Sequence, residues 1–363
     1  MSASARLFTP NNFLAALLLG VLLPVAAVGQ VHRQQDSLTE SELRELVSRV
    51  RESSAAGVAS LNAIQAARRL IAEQRYGEAE ELFKALLEKL PREPALLYGA
   101  ALVNFNLNRP AEAEPLARAA AEIILRGTSD ESAARLLSLE KRQRVADALV
   151  LLAVILGKRG KDAEALKTVR RAVLIEPGHF DAQFTLGRAL FGVGEPAAAA
   201  TAFRAAVKVK PDDRNALFFL ATALENAGDF AGAQKAYQDL VLKKPEAAEG
   251  YLGLGVLLLK RDGKSDKGIQ ELRIAVSINP NLYEAQVNLG RALLLHNRAE
   301  ESIQYLQRAA ALAPANPEPH YQLALAYRRL GLKNKATEEA AIVKRIHESR
   351  RGIRAQNNDA SEP

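Results

Sequence analysis

The sequence contains no cysteine, no tryptophan and a single methionine, and only 5% of its 363 residues are aromatic. Without cysteine there is no disulfide framework, no thiolate metal site, no thiol nucleophile and no lipid on an N-terminal Cys. The five histidines, His32, His179, His296, His320 and His347, are scattered. None stands four residues from another or within H-E-x-x-H, so the metal-hydrolase pattern is missing. No cofactor or metal is expected. Glycine (22) and proline (15) are modest in number, so their information lies in where they fall. Alanine, leucine and charge are plentiful, with 48% hydrophobic and 25% charged residues, a composition that favours helix. The formal charge of +7 permits an anionic partner, but it bears on solubility and loose association rather than on fold.

Long apolar runs are also scarce. The one candidate is Phe13 to Val28, preceded by Arg6 and closing in the small-residue sequence Ala27-Val28-Gly29. A basic start, an apolar centre and a small-residue end describe a secretory signal. The run is interrupted by Pro24 and is shorter than the ~20 residues of a membrane span. Residues 1–29 are therefore expected to be a cleaved signal peptide, cut before Gln30 or alternatively before Val28. An uncleaved anchor is the lesser reading and the only expected membrane contact. The mature chain is expected in a bacterial periplasm or secreted.

Internal repetition organises the rest. Pro177, Pro211, Pro245, Pro280 and Pro314 follow one another at intervals of 34, 34, 35 and 34 residues. On that register Leu186-Gly187, Leu254-Gly255 and Leu289-Gly290 recur, with Leu220-Ala221 and Leu323-Ala324 in phase. Ala199, Ala233, Gly268, Ser302 and Ala336 make a second small column, and Phe203, Tyr237 and Leu272 a large one. This is the logic of a helix pair. Large residues at helical spacing fill the space between two antiparallel helices, small ones let the axes approach, and proline stops the second helix. One pair cannot cover its own apolar face, so pairs must stack.

These columns resemble the tetratricopeptide repeat family. The segment 180–211 carries its Leu-Gly, Ala, Phe, Ala and Pro positions in order, whereas the family's Trp near the repeat start is replaced by Leu97, Leu217 or Tyr251. The resemblance implies an all-α, right-handed α-solenoid of about eight stacked pairs. By register they cover 60–93, 94–127, 146–179, 180–213, 214–247, 248–282, 283–316 and 317–350, about three quarters of the chain. Residues 128–145 break the period and imply either an added helix or a longer first helix in the next repeat. In the segment 30–59, Thr39-x-x-Glu42 is a capping-box pattern. Leu43, Leu46, Val47 and Val50 trace one helical face there. This helix either caps the stack or pairs with another chain, and capping is favoured. Residues 351–363 are expected to form a disordered polar tail.

Motifs that hint at catalysis have plainer explanations. Gly263-Lys264-Ser265 ends like a phosphate-binding loop, but the Gly required five residues earlier is Leu258, within a helical run and after no strand. Ser138-x-x-Lys141 copies a serine–lysine enzyme spacing without its companion motifs. Turn positions for His179 and His296 make solvated residues the default. Acids at the second position of each repeat (Asp147, Asp181, Glu249, Glu284, Glu318) and lysines at second-helix ends complement the helix dipole. The chain is read as no enzyme.

In the resembled family the first helices line a concave groove that receives peptides. Carried over by register, the groove residues are Tyr98, Phe184, Phe218 and Tyr321 at the fifth position and Asn288 at the sixth. Arg188 and Arg291 stand at the ninth and Lys158, Lys260 and Arg329 at the thirteenth. The expected function is a scaffold that binds a peptide or extended protein segment, for assembly of envelope, secretion or polysaccharide machinery. Alternatives are binding of an anionic polysaccharide or other polyanion, and an accessory role in an enzyme complex such as a glycosyltransferase. Export argues against nucleic acid. The oligomeric state is left open.

Overall fold

The structure, a computed structural model, describes residues 38–53, 58–126 and 137–359. Residues 1–29, the expected signal peptide, lie outside them. Among the described residues there are seventeen α-helices and no strand. The chain divides into two compact units, one up to Pro211 and the other from Asp212 onward.

In the first unit α1 (Glu40–Glu52) precedes four helix pairs: α2 (Val58–Ala72) with α3 (Tyr76–Lys89), α4 (Pro94–Asn106) with α5 (Pro110–Ile124), α6 (Leu139–Lys158) with α7 (Asp162–Ile175), and α8 (Phe180–Gly192) with α9 (Pro196–Val209). The expected capping box is present at α1. The Thr39 hydroxyl accepts from the Glu42 amide at 3.3 Å, and the Glu42 carboxylate accepts from the Thr39 amide at 2.8 Å. Leu43, Val47 and Val50 are buried in one cluster with Ala63, Ala67 and Leu70 of α2 and Leu82 and Leu86 of α3. The helix therefore closes the end of the stack.

In the part of the 128–145 insert that is described, the first helix of the next repeat is longer, and residues 127–136 lie outside the described residues. Two turns are added at the start of α6, and within them Arg142 donates to Glu176 at 2.8 Å and to the Leu137 carbonyl at 3.0 Å. The stack continues across this point. Glu114 of α5 is buried and takes Arg118 at 3.0 Å, Lys161 at 3.1 Å and Arg159. Burial works against ionisation of Glu114, but hydrogen bonds from Arg118 and Lys161 and the charge of Arg159 hold it below the usual carboxylate range.

The second unit holds α10 (Arg214–Asn226) with α11 (Phe230–Lys243), α12 (Ala248–Arg261) with α13 (Asp266–Ile278), α14 (Tyr283–Leu295) with α15 (Ala299–Leu312), and α16 (Pro317–Arg329) with α17 (Lys333–Asp359). The last helix continues through Asp359, over part of the segment expected as a polar tail, where no proline stops it.

The small and large columns face each other. A Cβ built on Gly187 would stand 2.7 Å from Phe203, and one on Gly290 would stand 2.6 Å from Leu306. One on Gly255 would meet the backbone oxygen of Gly268 at 2.9 Å. Between the helices of a pair, position 15 of seven repeats adopts positive φ. Gly160, Gly194, Gly228 and Gly331 serve there at +73° to +84°, and Gln74, Asn108 and Asn297 at about +60°. The remaining repeat, the 35-residue one, replaces this turn by Asp262-Gly263-Lys264. There the Asp262 carboxylate accepts from the Lys264 amide at 3.0 Å.

Candidate functional site

Both serines that suggested chemistry are helix caps. Ser265 accepts from the Gly268 amide at 3.2 Å at the start of α13, and Ser138 accepts from the Lys141 amide at 3.4 Å at the start of α6. A cap needs an oxygen three residues before an amide, which is also the spacing of the serine–lysine motif. His179 likewise caps α8. Its Nδ1 accepts from the Ala182 amide at 3.2 Å, which leaves Nε2–H to donate to Asp147 at 3.0 Å. The solvated reading of His179 and His296 is thus corrected, since their side chains are only 10% and 12% exposed. Among the described residues no three His, Cys, Asp or Glu side chains gather closely enough to hold a metal ion.

Within each unit successive first helices touch one another, while each second helix except the last of the unit packs against the first helices on either side of it. The first helices therefore form a continuous face in each unit. In the first unit Tyr98 is half-buried, between clusters built on α4, α5 and α6. Burial, then the charges of Asp147 and Asp181, pushes its phenol well above the usual tyrosine range. Phe184 and Arg188, expected on the groove floor, are instead 3% and 4% exposed. Phe184 stacks on Phe180 at 5.8 Å and meets Phe203 edge-on at 5.6 Å. The Arg188 guanidinium lies 5.9 Å from the Phe184 ring, and burial lowers its pKa to about 10. The aromatic pairs that fill the space under α8 draw both side chains inward.

In the second unit Phe218 is half-buried against Phe219 and Tyr237. Asn288 donates to the Glu284 carbonyl and accepts from Arg291, both at 2.7 Å, and Arg291 reaches Glu318 at 3.9 Å. Tyr321 is 54% exposed. Arg329 is exposed and donates to the Leu294 carbonyl.

The thirteenth-position cations share a role that spacing alone did not reveal. Each reaches back to the twelfth position of the repeat before it. Lys158 sits 5.0 Å over the Phe105 ring, Lys260 pairs with Glu225 at 3.3 Å, and Arg329 bonds Leu294. They fasten repeats together as well as lining an edge. Glu225 was missed by sequence reasoning. It is 6% exposed and also accepts from Tyr237. Its signal was an acid in a column held by Phe105, Phe191 and Leu294 elsewhere.

Two family models match the chain, both built on the same repeat. One is described as a tetratricopeptide repeat and covers 64–124 and 184–233; the other is the middle TPR-like domain of cilia and flagella-associated protein 70 and covers 217–347. This chain belongs to the tetratricopeptide repeat (TPR) family. The C-terminal part of a TPR repeat-containing protein from Cytophaga hutchinsonii is similar in structure, at 16% identity and a TM-score of 0.54, covering 72% of this chain and 99% of that one. Pseudomonas aeruginosa pilF is similar at 17% identity and a TM-score of 0.50, covering 61% and 99%. Both likenesses concern the TPR fold. A peroxisomal targeting signal receptor of Kluyveromyces lactis is 34% identical over 97 residues, 27% of this chain. The chain spans 17% of the length of that relative.

Proposed function

We propose that this TPR chain is a non-catalytic protein-interaction scaffold that acts outside the cytoplasm. It holds a peptide segment of a partner against its first helices, in the assembly of envelope, secretion or polysaccharide machinery. The observation that carries the reading is the first-helix face of the second unit. There Phe218 is half-exposed, Tyr321 is exposed, and Asn288 orients Arg291 in the repeat preceding that of Tyr321. Accessible aromatics and a pre-oriented guanidinium on one face offer contacts whose ordering cost is partly met in the free protein. A relative described as a peroxisomal targeting signal receptor agrees with peptide recognition. The apolar run at residues 13–28 supports export. A polyanion track is less well supported, because Lys158, Lys260 and Arg329 already hold partners within the stack.

The test is photocrosslinking in cells from position 321, with position 242 as control. Leu242 is 77% exposed on a second helix. A discrete adduct from 321 that is absent from 242 is expected, and equal labelling from both would remove the groove assignment. Fractionation of cells expressing the chain with and without residues 1–29 tests export. Identical cytosolic retention of both forms would reject it.

A further inference from the structure

The residue before each second helix is polar in all the helix pairs but the last: Arg75, Arg109, Lys161, Glu195, Asp229, Ser265 and Arg298. In the last pair it is Leu332, which is 42% exposed. Leu330, across Gly331 in the same turn, is 39% exposed, and Leu295, in the turn before, is 56% exposed. The two turns are neighbours, since Arg329 donates to the Leu294 carbonyl. Three exposed leucines on adjacent turns form a patch, unlike the scattered apolar residues of an ordinary surface.

The last turn is also basic. Arg328, Arg329, Lys333 and Lys335 cluster in it, and no acid occurs between Glu318 and Glu338. The other turns of this kind in the second unit carry or adjoin carboxylates: Asp229 in the first, Asp262 and Asp266 in the next, Glu300 and Glu301 just after the third. Arg328 and Lys333 are exposed on either side of the leucines. Arg329 and Lys335 have neutral partners, the Leu294 carbonyl and the Tyr327 ring at 5.5 Å. Both therefore keep their full positive charge, whereas Lys260 is neutralised by Glu225.

We infer that the turn between α16 and α17 docks on the surface of an anionic lipid bilayer. Leu295, Leu330 and Leu332 enter the boundary between headgroups and acyl chains, and the four cations meet the lipid phosphates. Apolar burial and charge attraction add in such binding, and each Lys or Arg near an anionic surface tightens it about fivefold. A projecting turn suits a bilayer, which needs no pocket to receive it, whereas an acidic protein would need a groove shaped for the leucines. Among the described residues no helix is long and apolar enough to cross a membrane, so the contact is peripheral. It draws on none of Phe218, Asn288, Arg291 and Tyr321, and it stands or falls apart from the peptide reading.

Because the chain has no cysteine, a single introduced one can carry a nitrobenzoxadiazole label on the full chain. Asn334→Cys places it in the turn, and Leu242→Cys is the control on another exposed surface. Each is titrated with vesicles of phosphatidylcholine or of phosphatidylglycerol, and a local label reports the turn whatever residues 13–28 contribute. Emission from 334 is expected to rise and shift to the blue with phosphatidylglycerol only, and emission from 242 to stay unchanged. Adding Arg328→Glu and Lys333→Glu, with helicity verified by circular dichroism, should weaken the response at least about 25-fold, from two cations at about fivefold each. Leu332→Arg restores the polar residue of the other repeats and adds a charge, yet should reduce the emission change; a stronger response would overturn insertion of the leucine. No response at 334, equal responses to the two lipids, or equal responses at 334 and 242 would overturn the membrane contact. So would a response to soluble polyglutamate with none to vesicles, which would point to an acidic protein instead.

Discussion

The ring of Phe203 lies directly over Gly187, so close that a Cβ there would stand 2.7 Å from the ring. Phe203 is fully buried, and an aromatic ring in a packed core has little room to yield. Gly187→Ala is expected to destabilise the chain by about 1–3 kcal/mol, the usual cost of overpacking. Gly263→Ala, where nothing lies within 4 Å and φ is not positive, should leave urea midpoints unchanged or slightly raised.

The shared turn at position 15 makes a second prediction. Gly228 has φ of +84° with open space around it, so Gly228→Ala meets only conformational strain, about 1–2 kcal/mol. Gly228→Asn should lose less, since asparagine already serves at Asn108 and Asn297. In the opposite direction, Gln74→Asn at φ of +61° should stabilise. Thermal midpoints of the three variants check the order.

Glu114 supplies a pH dependence. Its folded pKa lies below the ordinary 4.5, so its stabilisation is present above that value and is lost as pH falls through the folded pKa. Glu114→Gln is expected to be less stable at pH 7, because Arg118, Arg159 and Lys161 lose their shared anion. It should also show a flatter stability profile between pH 5 and 3 than the wild type. Parallel profiles would remove Glu114 from the account.

Gln286 donates its side-chain amide to the Pro280 carbonyl at 2.8 Å, and Gln183 does the same to Pro177 at 2.9 Å. Both glutamines occupy position 4 and both prolines end the preceding helix pair. Leucine at either site leaves a carbonyl without its donor, at a cost of about 1–3 kcal/mol. Similar losses in Gln183→Leu and Gln286→Leu, measured by denaturant unfolding, would show that this is a repeated fastening. A loss at one site alone would limit it to that repeat.

The sequence by itself determined the helix pairs, their order and nearly all their boundaries. Pro94, Phe180, Arg214, Ala248, Tyr283 and Pro317 each begin a first helix where the repeat register placed them. This was legible because the constraints are local and periodic. Proline lacks an amide to donate, a crowded helix pair requires a small residue, and a capping box needs only four neighbouring positions. Tertiary structure alone decided how the polar side chains are used. Phe184 shares its position with the exposed Tyr321 yet packs on Phe180 and Phe203, and Arg188 shares its position with the half-buried Arg291 yet is buried beside the Phe184 ring. Lys260 and Arg329 read as a free basic band until Glu225 and the Leu294 carbonyl, 35 residues away in each case, were seen to hold them. Ser265 and His179 read as free polar groups, but amides three residues on claim them. A side chain's partner depends on which residue the fold brings within about 3 Å, and a repeat's period carries no record of that for the one position at which the repeats differ.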